Sequence, residues 1–201
     1  MKRALLVIDI QESFRQGPLW PTISNPGVAA DAGRLVDAFR ANGELVVWIL
    51  HTAPGSGGLF DPAAGLIEFI DPLAPRDGEP VFHKTSHNAF STTALQQLLT
   101  QRGVTELVIC GIRTEQCCET TARVGSDLGY AVTFVTEATA TNPVAHRDAP
   151  AGQTLEEMLG DPRTLPAAAV LERTEYALAG RFATIATIEE VTGSPAALTE
   201  S

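Results

Sequence analysis

Residues 107–118 read LVICGIRTEQCC, and this stretch decides the fold. Its first four residues are apolar throughout, which is typical of a strand buried on both faces of a parallel sheet. Gly111 then predicts a tight turn, and Thr114 begins a predicted helix that Gly129 ends. A buried strand that leads directly into a helix is the repeating half of a β-α-β unit.

The same alternation extends in both directions along the chain. Further apolar runs that predict strands are residues 4–8, 45–50, 80–82, 131–135, 168–171 and 182–185. Helical signals cover residues 25–43, 91–103, 148–159 and 188–191. Alternating strands and helices predict right-handed β-α-β crossovers, and therefore an α/β fold with a doubly wound (Rossmann-like) parallel sheet and helices on both faces.

The composition predicts one globular domain over residues 1–192, with a flexible tail at 193–201. Hydrophobic residues make up 44% and charged residues 19% of the 201-residue chain, which excludes a disordered chain and a coiled coil. The net charge is −10, from 14 basic and 24 acidic residues. Such an acidic chain without a basic stripe is a poor match for nucleic acid, so we expect no nucleic-acid partner.

The sequence also favours a cytoplasmic protein without a membrane partner. No apolar run approaches the 18 residues or so of a membrane-spanning helix, and the first apolar run is too short for a signal-peptide core. The three cysteines are Cys110, Cys117 and Cys118. An odd number of clustered cysteines is not a disulfide framework, which suggests a reducing compartment or a thiol with a chemical role.

Chemistry-bearing residues stand where the predicted strands end. Asp9 and Gln11 follow the first strand, Lys84 follows the third, and Cys117 follows the fourth. Because ligands of doubly wound sheets bind beyond the carboxyl ends of the strands, we expect a carboxylate, an amine and a thiol on one rim. Each also has an ordinary interpretation: a turn-capping aspartate, a solvated lysine and a small buried thiol.

The two adjacent cysteines differ in their predicted surroundings. Cys118 shares a helix face with Thr121, Ala122 and Gly125, a stripe of small residues suited to packing on the sheet. Cys117 lies about 100° around the helix, nearer the rim. In the first helical turn, free N–H groups and the helix dipole favour a thiolate with a lowered pKa. The same N–H groups suit a developing oxyanion.

Metal and cofactor signals are weak. His83 and His87 have helical ligand spacing but straddle a strand end, and His51 ends the second strand. The chain has no His-Glu-x-x-His pattern, no Gly-x-Gly-x-x-Gly after the first strand and no phosphate-binding loop. We therefore expect no metal and no cofactor.

These residues together resemble a known family, the isochorismatase-like cysteine hydrolases. The resemblance rests on residues 6–11 (LVIDIQ), on Lys84 with Ala89-Phe90, on residues 111–123 (GIRTEQCCETTAR), and on segments 126–130 and 137–141. It covers residues 3–192 and implies a six-stranded parallel sheet. It further implies a catalytic triad of Asp9, Lys84 and Cys117, and a cis peptide bond at Ile112–Arg113.

The resemblance implies an enzyme that acts on a small molecule. We expect a metal-independent cysteine hydrolase that cleaves a C–N bond, amide or ureido, through a thioester. The backbone N–H groups of Arg113 and Cys117 would hold the oxyanion, and Gln11 is a further expected substrate contact. Nicotinamidases of this family place a metal-binding Asp-x-His after the second strand, where this chain has His51-Thr52-Ala53.

Several alternatives remain open at this point. One is vinyl ether cleavage by an isochorismate pyruvate-hydrolase with Asp9 as general acid, which needs no cysteine. Another is a thiol redox sensor that uses Cys117 and Cys118. The Arg113 side chain either points away from the site or meets an anionic substrate group. A homodimer or homotetramer is expected from the family and from apolar segments within residues 59–70.

Overall fold

The computed structural model describes residues 2–193, and within them it confirms the doubly wound α/β fold. Six parallel strands form one sheet in the order β3-β2-β1-β4-β5-β6. The strands are β1 (Arg3–Ile8), β2 (Leu45–His51), β3 (Val81–Lys84), β4 (Glu106–Ile112), β5 (Ala131–Ala140) and β6 (Thr184–Ile185). The helices are α1 (Glu12–Arg15), α2 (Val28–Ala41), α3 (Leu95–Arg102), α4 (Glu119–Asp127), α5 (Leu155–Gly160), α6 (Ala167–Leu178) and α7 (Ile188–Thr192).

The sheet separates two hydrophobic clusters, which explains why the central strands are apolar at every position. In β1, Leu5 and Val7 pack into the cluster that contains α2 and the Ile188 side chain of α7. Leu6 and Ile8 point the other way and pack with residues of α3 and α4. Since successive side chains of a strand alternate between faces, a sheet covered on both sides needs apolar residues throughout.

The order of the strands reverses at the centre of the sheet. From β1 the chain builds outward through β2 to β3, and it then returns to place β4 on the other side of β1. The carboxyl ends of β1 and β4 therefore flank the topological switch point, where doubly wound folds form their binding crevices. This topology determines which loops surround the candidate site.

Two sequence expectations are corrected by the structure. Residues 168–171, predicted as a strand, lie inside α6, where Val170, Thr174 and Leu178 are buried at helical spacing. A short run of alanine, valine and leucine does not distinguish a strand from a buried helix. The helix predicted over residues 148–159 is shorter, because Thr154 caps α5 in a capping box with Glu157.

The long connection from β2 to β3 passes over the carboxyl edge of the sheet. Its backbone bonds to the segment after β1, with Ser13 N–H donating to the Leu66 carbonyl at 3.1 Å. Of the apolar segments expected to form an interface patch, Leu59, Phe60, Leu66, Ile67 and Phe69 are partly buried and Ile70 is buried, whereas Pro62 is exposed. The assembly of the chain into a homodimer or homotetramer stays a prediction, and this segment adds no support for it.

Between residues 2 and 193, no helix is both long enough and apolar enough to span a bilayer. The predicted flexible tail, apart from Gly193, lies outside the described residues.

Candidate active site

Four neighbouring strands bring their carboxyl ends together at one edge of the sheet. Asp9 follows β1, His51 ends β2, Lys84 ends β3, and Cys117 lies in the turn after β4. Asp9 adopts a left-handed backbone with φ of 54°, a region that aspartate tolerates better than most residues. Its N–H donates to the Ile49 carbonyl of β2 at 2.8 Å. The expected meeting of carboxylate, amine and thiol is therefore found.

Lys84 connects the acid and the thiol. Its Nζ lies 2.7 Å from Asp9 Oδ2 and donates to Cys117 Sγ at 3.3 Å. It also donates to the Ser86 carbonyl at 3.1 Å. The lysine and aspartate side chains have no exposed surface. An ammonium buried this deeply needs compensating partners, so Lys84 is not the solvated surface lysine of the ordinary interpretation.

The Asp9 carboxylate is destabilised by its surroundings. Burial raises the pKa of Asp9 from 3.8 to about 6, although the Lys84 ammonium opposes this change. Among the described residues, no donor reaches either oxygen with good hydrogen-bond geometry. The 2.7 Å contact with Lys84 is nevertheless short enough for us to regard the two groups as an ion pair. Asp9 is thus a carboxylate above about pH 6 and readily accepts a proton.

The Cys117 thiol is not pre-ionised, which corrects the expectation of a lowered pKa. Burial and the nearby Asp9 carboxylate raise the pKa of Cys117 to about 12, and Lys84 only partly offsets them. The turn that carries this residue is a π-helical turn over Thr114–Cys118, with α4 starting at Glu119. Because the desolvation of the sulfur outweighs the dipole of a short helical turn, Cys117 carries its proton at neutral pH.

Cys118 belongs to the hydrophobic core, as its helix face predicted. Its side chain is fully buried in the cluster that faces α3 and α4. A Cβ added at Gly125, on the same face, would lie 3.0 Å from the Leu107 side chain. Small residues on this face therefore allow α4 to approach the sheet closely, and Cys118 serves packing.

His51 and Gln11 form a network that sequence reasoning did not assemble. The Gln11 amide accepts from the His51 N–H at 2.8 Å and donates to the His51 carbonyl at 3.1 Å. His51 Nδ1 lies 3.4 Å from Lys84 Nζ. Burial lowers the pKa of His51 to about 4, and Lys84 adds to this effect. The amide of Gln11 is thus engaged in holding the end of β2, and its contact with substrate stays a prediction.

Arg113 begins the turn that carries Cys117. The peptide bond Ile112–Arg113 is cis, as the family resemblance implied. The Arg113 carbonyl accepts from the Cys118 N–H at 3.2 Å, which closes the turn. The guanidinium lies over the Phe14 ring, 5.9 Å from its centroid. Arg113 therefore has its backbone in the turn that carries Cys117 and its guanidinium against the Phe14 ring.

The residues after β2 do not fit a metal of the nicotinamidase kind. Within residues 2–193, no group of three or more His, Cys, Asp or Glu side chains is placed to hold a metal ion. His51 directs Nδ1 at an ammonium group, and that positive charge opposes a cation at the same position. The absence of a metal requirement stays a prediction, which activity measurements can test.

Comparison with known proteins identifies the family of the chain. The family model described as "Isochorismatase domain" matches residues 3–166. The chain belongs to the isochorismatase family. The isochorismatase family protein YddQ of Bacillus subtilis (strain 168) is 32% identical over 192 residues, which cover 94% of this chain and 98% of that protein.

Two further similar proteins bear on the class of enzyme. A streptothricin hydrolase of Streptomyces noursei is 34% identical over 178 residues, covering 88% of this chain and 65% of that protein. An isochorismatase from Pseudomonas putida KT2440 has a solved structure with a TM-score of 0.80 and 32% identity, covering 94% of this chain and 89% of that one. The chain is therefore an isochorismatase-family hydrolase.

Proposed function

We propose that this protein is a metal-independent cysteine hydrolase that cleaves a C–N bond, amide or ureido, of a small molecule through a thioester. The observation that carries the proposal is the buried Lys84 ammonium, 2.7 Å from the Asp9 carboxylate and 3.3 Å from the Cys117 sulfur. A nucleophile beside a base, with a third group that positions both, is the signature of covalent catalysis.

The first half of the proposed reaction forms the thioester. Asp9 accepts the proton of Cys117 as the sulfur attacks the carbonyl carbon, and Lys84 stabilises the developing thiolate. The C=O π bond becomes an oxyanion, which the backbone N–H groups of Arg113 and Cys117 stabilise. The C–N bond then breaks as the protonated Asp9 returns its proton to the leaving nitrogen, so ammonia or an amine departs.

The second half of the proposed reaction releases the acid. Asp9, again a carboxylate, takes a proton from water as the water oxygen attacks the thioester carbon. The C–S bond breaks, the carboxylic acid leaves, and the sulfur recovers a proton from Asp9. Each pass through the cycle consumes one water and needs no oxidant or reductant, which is consistent with a site whose working groups are a carboxylic acid, an amine and a thiol.

The proposal is tested by measuring ammonia release from a panel of small primary amides and ureido acids. The relative named streptothricin hydrolase supports a small-molecule substrate, since streptothricin is the substrate that its name prints. We expect at least one amide to release ammonia and its carboxylic acid in equal amounts, or at least one ureido acid to release ammonia and a carbamate that then loses carbon dioxide. A panel that yields no hydrolysis, from a protein shown to be folded, counts against the proposal.

The pH profile of the reaction follows from the site's charges. Because burial raises the pKa of Asp9 to about 6, the base is protonated and inactive below that pH. Asp9 and Cys117 outweigh burial and hold the pKa of Lys84 above its ordinary 10.5. We therefore expect kcat/KM to rise through about pH 6 and to stay level until about pH 10.

This profile is measured with a substrate that does not itself titrate between pH 4 and pH 10. Because the three groups interact, the apparent pKa values belong to the set and not to one residue. An acid limb centred at pH 8 or above would show that Asp9 is not the base in the free enzyme.

Removal of metals is expected to leave the reaction intact. Dialysis against a strong chelator, followed by an assay in metal-free buffer, should retain the full kcat/KM, because His51 faces an ammonium and no group of three ligands within residues 2–193 is placed to hold a metal. A loss of activity that zinc, iron or manganese restores would contradict this expectation.

A further inference from the structure

A small apolar cavity has Arg113, the first residue of the Cys117 turn, in its wall. Its volume is about 130 Å³, and its wall includes Phe14, Trp20, Leu59, Phe60 and Arg113. Arg113 begins the turn that carries Cys117. Phe60 packs edge-on against the His51 ring at 5.5 Å between centroids, and His51 in turn contacts Lys84. Asp9, Lys84 and Cys117 do not line the cavity themselves, so Arg113 on one side and the Phe60–His51 contact on the other connect it to the proposed reacting groups.

Arg113 is the one charged side chain among the residues that line this cavity. Two of the other polar side chains in the wall, Ser13 and Asn142, already donate hydrogen bonds within the protein. The Ser13 hydroxyl donates to the Leu66 carbonyl at 2.7 Å, and the Asn142 amide donates to the Leu19 carbonyl at 2.7 Å. A lone guanidinium in an apolar wall is the strongest available partner for a ligand, since it offers five N–H donors and a fixed charge.

The Arg113 guanidinium has no partner of opposite charge within residues 2–193. Eight of the twelve arginines form ion pairs with carboxylates there: Arg3, Arg15, Arg34, Arg40, Arg123, Arg147, Arg163 and Arg173. The other four are Arg76, Arg102, Arg113 and Arg181, and only Arg113 of these is partly buried. The three exposed ones are solvated by water, whereas Arg113 lies against the Phe14 ring.

The nearby acid does not neutralise this charge. Glu115 stands two residues along the chain, yet no ion pair within 4.0 Å joins it to Arg113 in the described structure. One of its oxygens accepts from the Thr141 hydroxyl instead. A partly buried cation without an internal counter-charge carries a desolvation cost. A bound anion would offset this cost by pairing with the guanidinium.

We propose that the substrate carries a carboxylate on a small apolar body, and that the Arg113 guanidinium pairs with this carboxylate. The inference rests on the proposed hydrolase function, because it adds the substrate class of the same site. The aromatic side chains of the cavity wall pack against the apolar body of the substrate. The reacting carbonyl of the substrate binds at the backbone N–H groups of Arg113 and Cys117, and its carboxylate binds at the Arg113 guanidinium. The two substrate groups are therefore about one arginine side chain apart.

The kinetic test compares an acidic amide with its neutral ester. Glutaramate and methyl glutaramate differ in one charge, and the ratio of their kcat/KM values isolates recognition of that charge. Arg113→Met, which keeps the backbone N–H, should lower this ratio about 10- to 150-fold, the range for a lost charge-assisted hydrogen bond. Arg102→Met, at an exposed arginine that also lacks a carboxylate partner, should keep the wild-type ratio.

A binding test makes the inference independent of turnover. Benzoate and the neutral benzyl alcohol are similar in size, and calorimetry compares their affinities for the wild-type protein, Arg113→Met and Arg102→Met. We expect wild type and Arg102→Met to bind benzoate at least about 10-fold more tightly than benzyl alcohol. Arg113→Met should lose that preference.

The outcomes separate the two proposals. An unchanged kcat/KM ratio in Arg113→Met, or benzoate binding no tighter than benzyl alcohol to the wild-type protein, overturns the acidic-substrate inference. Hydrolysis of the neutral ester would then still support the hydrolase. Arg113-dependent benzoate binding by a protein that hydrolyses no amide of the panel would support the anion site and count against the proposed reaction.

Discussion

Replacement of Cys117 by alanine is expected to abolish C–N hydrolysis, with a fall in kcat of about 10⁴-fold or more, the scale seen when a covalent nucleophile is removed. Without the sulfur no thioester forms, and the buried Asp9–Lys84 pair has no acceptor for the acyl group. Intact-protein mass spectrometry after rapid quenching should show an acyl adduct on the wild-type chain and none on the variant. The fold should survive, because Cys117 lies at the rim of the core, with 7% of its surface exposed.

The adjacent cysteine provides the matched control. Cys118 is fully buried in the core, so Cys118→Ala should lower the free energy of unfolding by about 1 to 2 kcal/mol and keep most of the kcat/KM. Equal loss of turnover in the two folded variants would contradict the assignment of the nucleophile. Activity that survives in Cys117→Ala would instead favour vinyl ether cleavage with Asp9 as general acid, because that reaction needs no nucleophilic sulfur.

The positions of Asp9, Lys84 and Cys117 are predictable from the sequence because they depend on a rule of topology. Parallel strands end at one edge of their sheet, so residues at or shortly after the ends of β1, β3 and β4 lie on the same rim. The rule requires only that the apolar runs be recognised as strands. It holds even though residues 168–171, one such run, belong to a helix.

The protonation of the site was not predictable in the same way. The helix position of Cys117 suggests a lowered pKa, but the thiol responds to the burial of its whole surroundings, which raises that pKa to about 12. The pairing of Gln11 with His51 joins residues 40 positions apart, and the cavity at Arg113 is closed by the long connection from β2. Such contacts depend on tertiary packing, which local sequence patterns do not report.

Replacement of Gly111 by alanine is expected to destabilise the protein strongly. Gly111 has φ of +140° and pairs with Ile8 of β1. A Cβ at this position would lie 2.0 Å from the Ile8 carbonyl oxygen, which is part of the rigid backbone. The strained conformation and the steric overlap together should lower the free energy of unfolding by about 3 kcal/mol or more, measured by denaturant unfolding.

The control for this variant is Gly129→Ala. It separates the steric overlap of the added Cβ from the cost of placing alanine at a positive φ. Gly129 also has a positive φ, +92°, yet an added Cβ would meet no atom within 4 Å. The free energy of unfolding of Gly129→Ala should fall by only about 1 to 2 kcal/mol. Equal falls in the two variants would contradict a steric cause for the effect at Gly111. Gly111→Ala should also lower kcat where the protein is still folded. Ile8 directly precedes Asp9, and Gly111 leads into the turn of Cys117, so a wider gap between β1 and β4 separates the proposed base from the proposed nucleophile.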